Sequence, residues 1–479
     1  VDAHDVDAVI QIFSETLPLN VGLEIAVRRG NDAGVEWHLG VGTDGAHLPR
    51  LTPKGPGGGQ FPLKIRSLAV YANDGEFIYD DHTTPWSVIA RNLRFALVRT
   101  NNLNTYVGTA EFSDGTTQIQ GFLPMRTDFR TRFQLTGSTV HLRHIDLITD
   151  GAESHVTGFV NFGRWPEQEY RISSDVDFNR MREIFFAKET WRLSGTGNFT
   201  GIFKFYKGGR ELQGEFRSDE AGLGSGRSEW RFPRLHGSLI WTPDRFVVTH
   251  AESDLFGGSM RLTYGLVPLG SPGGATAMLT ASYDGVDIYR FTRQFGWTAL
   301  EPQGRMRGQL SMAWPNGRFS AGMQGTGETV VLAPDGAATA SNAIPPDAPP
   351  IEPERPFQKY RPFGAFAIAA ATKYRFSAST LDFEPSWVAT PSTYVKFSGH
   401  ARGGPVDVPF HVTSHDWQNS DRLFAAIMNN FGSQMGAIEV GGRGTFDGRL
   451  TKAFNAPRIE GSFTGQSMRA WDVVWGAAS

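Results

Sequence analysis

Apolar and polar positions alternate along most of this chain. In the segment from Phe129 to Leu135, the residues Phe129, Thr131, Phe133 and Leu135 share one side of an extended backbone, while Arg130, Arg132 and Gln134 share the other. Val140 and Leu142 repeat the pattern against His141 and Arg143. Farther on, Phe199, Phe203 and Phe205 stand against Lys204 and Tyr206; Leu239 and Trp241 are joined to Phe246 and Val248 through Thr242–Arg245; and Leu310 with Met312 marks another strand. A period of two with one greasy side and one wet side predicts an antiparallel sheet with a solvated face. Turn signals at Asn73-Asp-Gly75, Asp114-Gly115, Thr136-Gly-Ser138 and Asp150-Gly151 punctuate the strands.

Three segments change period. Leu423, Phe424, Ile427, Met428 and Phe431 fall on one helical face, with Ser420 or Asp421 available to cap the start and Asn430 with Gly432 to end it. The spacing predicts short amphipathic helices near 178–187, 287–295 and 421–431. Each is led by aspartate and followed by Gly-x-Φ-x-Gly, with Phe199, Met306 and Phe446 in the central place. The copies lie roughly 110 to 135 residues apart, and recurrence at a spacing is the mark of a stacked array. The expected fold is mainly β: an elongated, repeat-built, curled antiparallel sheet with a few short helices. Its parts are an N-terminal β-rich segment (1–93), groove repeats (94–333), a Pro/Ala-rich loop or linker (334–362), best read as an insertion, and a further repeat (363–479).

Composition narrows the class. A formal charge of −3 and a pI near 6.5 argue against nucleic acid, which requires a basic stripe. No cysteine is present, so neither disulfides nor Cys-based metal sites exist, which suits an exported bacterial protein. No apolar run is long enough to span a bilayer as a helix. The chain begins at Val1, and a signal or anchor upstream of it is expected. Phenylalanine stands out, with 35 Phe against 12 Trp and 11 Tyr. Phe brings area without a polar handle, which suits a large, purely apolar surface.

A greasy sheet face must be covered, and frequent in-strand glycine (Gly108, Gly121, Gly158, Gly201, Gly214) allows such a sheet to curl. An open trough lined by Phe, Leu, Ile and Val calls for an apolar guest. At roughly 0.8 kcal/mol per buried CH₂, a sixteen-carbon acyl chain would gain on the order of 12 kcal/mol there. Similar repeats would offer similar energies at each step, so a guest could slide. The expected lining is Phe133, Leu135, Val140, Leu142, Phe199, Phe203, Phe205, Leu239, Trp241, Phe246, Val248, Leu310, Met312 and Phe446.

The Asp-led helix, the Gly-x-Φ-x-Gly unit, and the stretches Ala456–Phe463 and Phe256–Leu262 together resemble the TamB and AsmA-like proteins of diderm bacteria. The likeness covers roughly Arg94 to the end and rests on the order and recurrence of degenerate motifs. It implies a periplasmic β-groove, or taco, that carries phospholipid acyl chains from the inner toward the outer membrane and supports outer-membrane assembly. It also implies an N-terminal inner-membrane anchor and, for TamB-like members, an outer-membrane barrel partner. This chain carries neither an evident anchor nor an outer-membrane-docking tail.

Catalytic chemistry finds little footing. Asp80-Asp81-His82 reads as a turn, and His141 and His144, at odd spacing, should point to opposite faces rather than share a metal. Gly55–Gly59 and Gly222–Gly226 lack the Lys-Ser/Thr or final glycine of a phosphate loop. No Gly-x-Ser-x-Gly elbow occurs. The expectation is therefore a non-enzymatic protein without cofactor or metal. Two other classes compete. A carbohydrate-binding or carbohydrate-active β-solenoid would expose Trp and Tyr beside carboxylates on an outer face. An outer-membrane barrel would not be interrupted by helices.

Overall fold

In the computed structural model the described residues are 69–479 apart from 81–85, 102–104, 120–121, 165–166, 226–227, 270–273, 299, 345–363, 403–405, 431–435, 439, 454–455 and 471–472, together with short strands between Leu23 and His47. The chain is mainly β and antiparallel, with four helices and no closed barrel among the described residues. It divides into two compact units: residues 1–224 with 236–247, and residues 225–235 with 248–479.

In the first unit successive strands pair antiparallel with their sequence neighbours. The order is Ala69–Asp80, Trp86–Arg99, Thr105–Ile119, Met125–Thr136, Thr139–Thr149, Ala152–Asn161 and Gln168–Asp177, then Thr196–Tyr206 and Gly209–Ser218. In the second unit the meander runs through Gly258–Val267, Thr276–Asp287, Arg305–Pro315, Gln324–Leu332, Ala369–Ser377, Leu381–Ala389, Thr393–Arg402, Asp407–Ser414, Gly441–Ala453, Ala456–Ala470 and Val473–Ala478. Gln324–Leu332 pairs directly with Ala369–Ser377, so the sheet is continuous across the Pro/Ala-rich segment. Part of that segment packs back: the Ala340 N–H donates to the Thr390 carbonyl at 2.7 Å, and Thr413 Oγ1 donates to the Asn342 carbonyl at 3.2 Å.

Two expected turns are bulges instead. Ala69–Asp80 runs unbroken through Asn73-Asp-Gly75, with the register slipping on either side of Gly75. Likewise Thr105–Ile119 runs through Asp114-Gly115, where Asp114 has φ +57 and its N–H donates to Asp128 Oδ1 at 2.8 Å. An aspartate tolerates the left-handed backbone because its short side chain forms local hydrogen bonds, so a turn-like dipeptide can instead place one extra residue in a strand. The signals at Gly137 and Asp150-Gly151 do mark tight connections.

Helix α1 (Phe178–Phe185) and helix α2 (Ile288–Gln294) each begin where a strand ends on an aspartate. Asp177 and Asp287 accept from the backbone N–H of Arg180 and Arg290, both at 3.1 Å, which satisfies a donor the helix leaves unpaired. Helix α3 is the single turn Phe319–Gly322. Helix α4 (Trp417–Asn430) starts earlier than the sequence suggests. Its start is bound by Asp416, whose Oδ1 accepts from Gln418 N–H at 3.0 Å, and not by Ser420 or Asp421. Burial pushes the Asp416 carboxyl up against the pull of those N–H groups. Ser420 is buried and bonds Thr393 and Ser414, at 2.7 Å each. Leu423 and Met428 are buried as expected, Phe424 and Ile427 are half-buried, and Phe431 lies outside the described residues.

Candidate functional site: the apolar face of the sheet

Residues paired across antiparallel strands share a face, so the registers sort every strand into rows. In the first unit one row reads Leu97, Gly108, Phe133, Leu142, Gly158, Tyr170, Phe203, Leu212. The next contains Phe95, Ala110, Thr131, Ile145, Val156, Ile172 and then Gly201 and Gly214; a third contains Phe112, Phe129, Leu147, Ser154, Ser174, Phe199 and Phe216. Apart from the Tyr170 phenol, these rows carry no ionisable side chain. That phenol donates to Gln168 Oε1 at 2.6 Å, and burial holds it far above the ordinary tyrosine range, so it stays neutral. The opposite face carries Arg94, Glu111, Arg130, Asp146 and His155 in a single row, with Glu111 bridging Arg94 at 3.3 Å and Arg130 at 3.2 Å.

Aromatic rings lie over glycines of the neighbouring strand or of their own. Phe133 overlies Gly108, and the ring of Phe199 lies against Gly201 and Gly214. Side chains thus spread along the sheet instead of standing off it. Phe95 stacks on Phe133 at 5.9 Å, Phe112 on Phe129 at 5.2 Å, and Tyr170 on Phe203 at 6.2 Å.

The second unit has the same two-sided character. One row joins Val286, Met306, Val331, Ala370, Val388, Val395, Val412, Phe446 and Phe463. Leu310 and Met312 lie on that face, opposite Gly327 and Gly325, and beyond those glycines come Tyr374 and Phe376. Near α2 this face is sealed: Leu255, Met260, Val286, Ile288, Met306, Val331 and Ala370 form a buried cluster. The Tyr283 hydroxyl, on the same face, is 2.6 Å from Thr329 Oγ1, and burial pushes its pKa up to about 12.

Every residue expected to line the groove is half-buried: none is sealed and none is fully exposed. Phe133, Leu142 and Phe203 share a row in the first unit, Leu135, Val140 and Phe205 the next, and Phe199 lies two rows beyond that of Phe133. Leu239 also belongs to this unit. Trp241 and Phe246 are engaged by α1 and its end: Trp241 meets Phe185 at 5.8 Å, and Phe246 meets Phe186 at 5.7 Å. Val248, Leu310, Met312 and Phe446 belong to the second unit.

Comparison of the chain with protein-family models, with curated proteins and with solved structures finds no match. The face is therefore read from its own residues. Several of them were not picked out from the sequence. Val156 and Ile172, with Gly158 between strands of larger residues, show plain alternation that could have been found. So do Tyr374 and Phe376, and Phe397 and Phe410 in strands that also carry Gly399 and Pro409. The expected opposite facing of His141 and His144 is overturned. Register slips by one residue at Arg143, so both histidines fall on the polar face, His141 opposite Gln134 and His144 opposite Arg132. Of Asp80-Asp81-His82, only Asp80 lies within the described residues, at the end of its strand.

Proposed function

We propose that this chain is a non-enzymatic protein of the bacterial envelope whose apolar sheet face forms a groove for phospholipid acyl chains moving between inner and outer membranes. The observation that carries the reading is the set of rows without a charged group, in which most of the large side chains away from α2 are half-buried, running across strand after strand in each unit. A compact core would bury such side chains, and a soluble surface would break them up with charge. Rings laid over glycines supply a smooth floor, and the hydroxyls of Tyr170 and Tyr283 on this face are held by partners within the protein, which lowers the polar cost an acyl chain would meet there.

The likeness to TamB and AsmA-like proteins points the same way and adds a periplasmic location, an inner-membrane anchor and an outer-membrane barrel partner as parts of this proposal. Aspartate-capped helices recurring at strand ends are compatible with a repeat-built groove. The test is mass spectrometry of lipid that co-purifies from native membranes. Stoichiometric phospholipid supports the groove; protein extracted under gentle conditions without lipid opposes it.

A carbohydrate-binding reading has one feature in its favour. Trp387 stacks on Tyr394 at 5.9 Å, on the face that also carries Lys396, His411 and Asp447. Binding of envelope glycans that Trp387→Ala abolishes, in a protein without lipid, would select it.

A further inference from the structure

The polar face of the first unit contains a constellation the lipid reading does not use. Among the described residues, His144, Asp146 and His155 are the one group of metal-ligand type drawn together, their ligand atoms all within 4.8 Å of one another. The sheet builds it. The bulge at Arg143 turns His144 onto the polar side, Asp146 follows two residues later on the same side, and His155 is the direct cross-strand partner of Asp146. The carboxylate is held between two imidazoles, with Oδ2 at 3.0 Å from His144 Nε2 and Oδ1 at 2.8 Å from His155 Nδ1. The rings are nearly parallel, 20° apart with centroids at 6.2 Å. Arg130, the neighbour of Asp146 on the other strand, is engaged instead with Glu111 at 3.2 Å.

We propose that His144, Asp146 and His155 bind a divalent transition-metal ion of the zinc or nickel class. Imidazole nitrogen suits these borderline-soft ions, whereas magnesium and calcium demand oxygen donors. Around a tetrahedral zinc with bonds of about 2.0–2.1 Å, ligand atoms stand about 3.4 Å apart, a spacing that exposed imidazoles reach by side-chain rotation. Two nitrogens and one carboxylate oxygen leave a coordination position open. His144 and His155 also line a concavity of about 760 Å³ with Arg171, Ser173 and Thr200 among others, from which water or a small anion would complete the shell. Bound metal would tie strand Thr139–Thr149 to strand Ala152–Asn161 and raise the thermal stability of the first unit by mass action.

The experiment is calorimetric titration of the chelator-treated full chain with zinc sulfate, with magnesium chloride as the comparison. Saturable one-to-one zinc binding is expected, with no magnesium binding. His155→Ala and Asp146→Asn should each weaken it by about tenfold or more. His155 has an exposed side chain, so alanine there leaves the sheet intact, which far-UV circular dichroism checks. His141→Ala, on the strand of His144 and Asp146 and on the same face but outside the set, should keep wild-type affinity. Absence of saturable zinc binding would overturn the site, as would equal affinity in wild type and His155→Ala, or equal losses in His141→Ala and His155→Ala.

Discussion

Phe133 lies across Gly108, its partner on the adjacent strand, so closely that a Cβ on Gly108 would fall on the ring and come 2.8 Å from the Ala96 carbonyl oxygen. The ring could swing away, but the backbone oxygen cannot. Gly108→Val should therefore destabilise the first unit by roughly 1–3 kcal/mol, the usual cost of overpacking. Urea unfolding followed by tryptophan fluorescence reads this as a lower midpoint with an unchanged slope.

The caps of α1 and α2 rest on Asp177 and Asp287. Asp177→Ala and Asp287→Ala should each cost about 1 kcal/mol, through loss of the bond to the third residue of the helix. Amide hydrogen exchange should show faster exchange at Arg180 and Arg290 respectively. Exchange on the sheet opposite Phe133 should not change.

Asp150 ties the turn after Thr149 to the neighbouring elements. Its carboxylate accepts from the Arg126 N–H at 2.9 Å and from Arg180 Nη2 at 3.2 Å. The Arg126 N–H is the larger cause, and with the Arg180 guanidinium it holds the carboxyl below its usual range. A depressed folded pKa stabilises the protein above the unfolded value, and that stability is lost as pH falls through the folded value. Asp150→Asn should therefore destabilise at neutral pH, by about 0.5–1 kcal/mol given partial solvent screening. The gap to wild type should close as pH drops below about 3.9. Parallel denaturation series at neutral pH and near pH 3 check it.

Phe203 is the natural point at which to block the face. It pairs with Tyr170 on one side and Leu212 on the other, in a row without a charged group. Phe203→Arg should leave circular dichroism close to wild type, because the site is half-buried and not sealed, while stripping co-purified phospholipid from the protein. Lys204→Ala, on the opposite face between Glu169 and Glu211, should leave lipid content unchanged.

The facing of Phe203 against Lys204 was legible in the sequence, because a strict period of two needs no tertiary information. So was the aspartate at the head of α1 and α2. The departures come from places where one residue breaks the period. Asp114-Gly115 looks like a turn because an aspartate that tolerates a left-handed backbone in a hairpin also tolerates it in a bulge, and Asn73–Gly75, built of the same turn-type residues, likewise sits where the register slips. Arg143 has no such signature, so the slip that brings His144 to the face of His141 could not be anticipated. Asp416 went unassigned as a cap because the first helical turn, Trp417–Ser420, buries Ser420 toward Thr393 and breaks the simple amphipathic count. Trp241 and Phe246 alternate like groove residues, yet α1 and the segment after it claim them, a contact between elements far apart in sequence.

The most direct test places a photocrosslinking amino acid at position 203 and, separately, at position 204, in cells carrying the full-length protein. The account predicts phospholipid adducts from 203 and none from 204. Adducts from 204 alone, or from neither position, would contradict it.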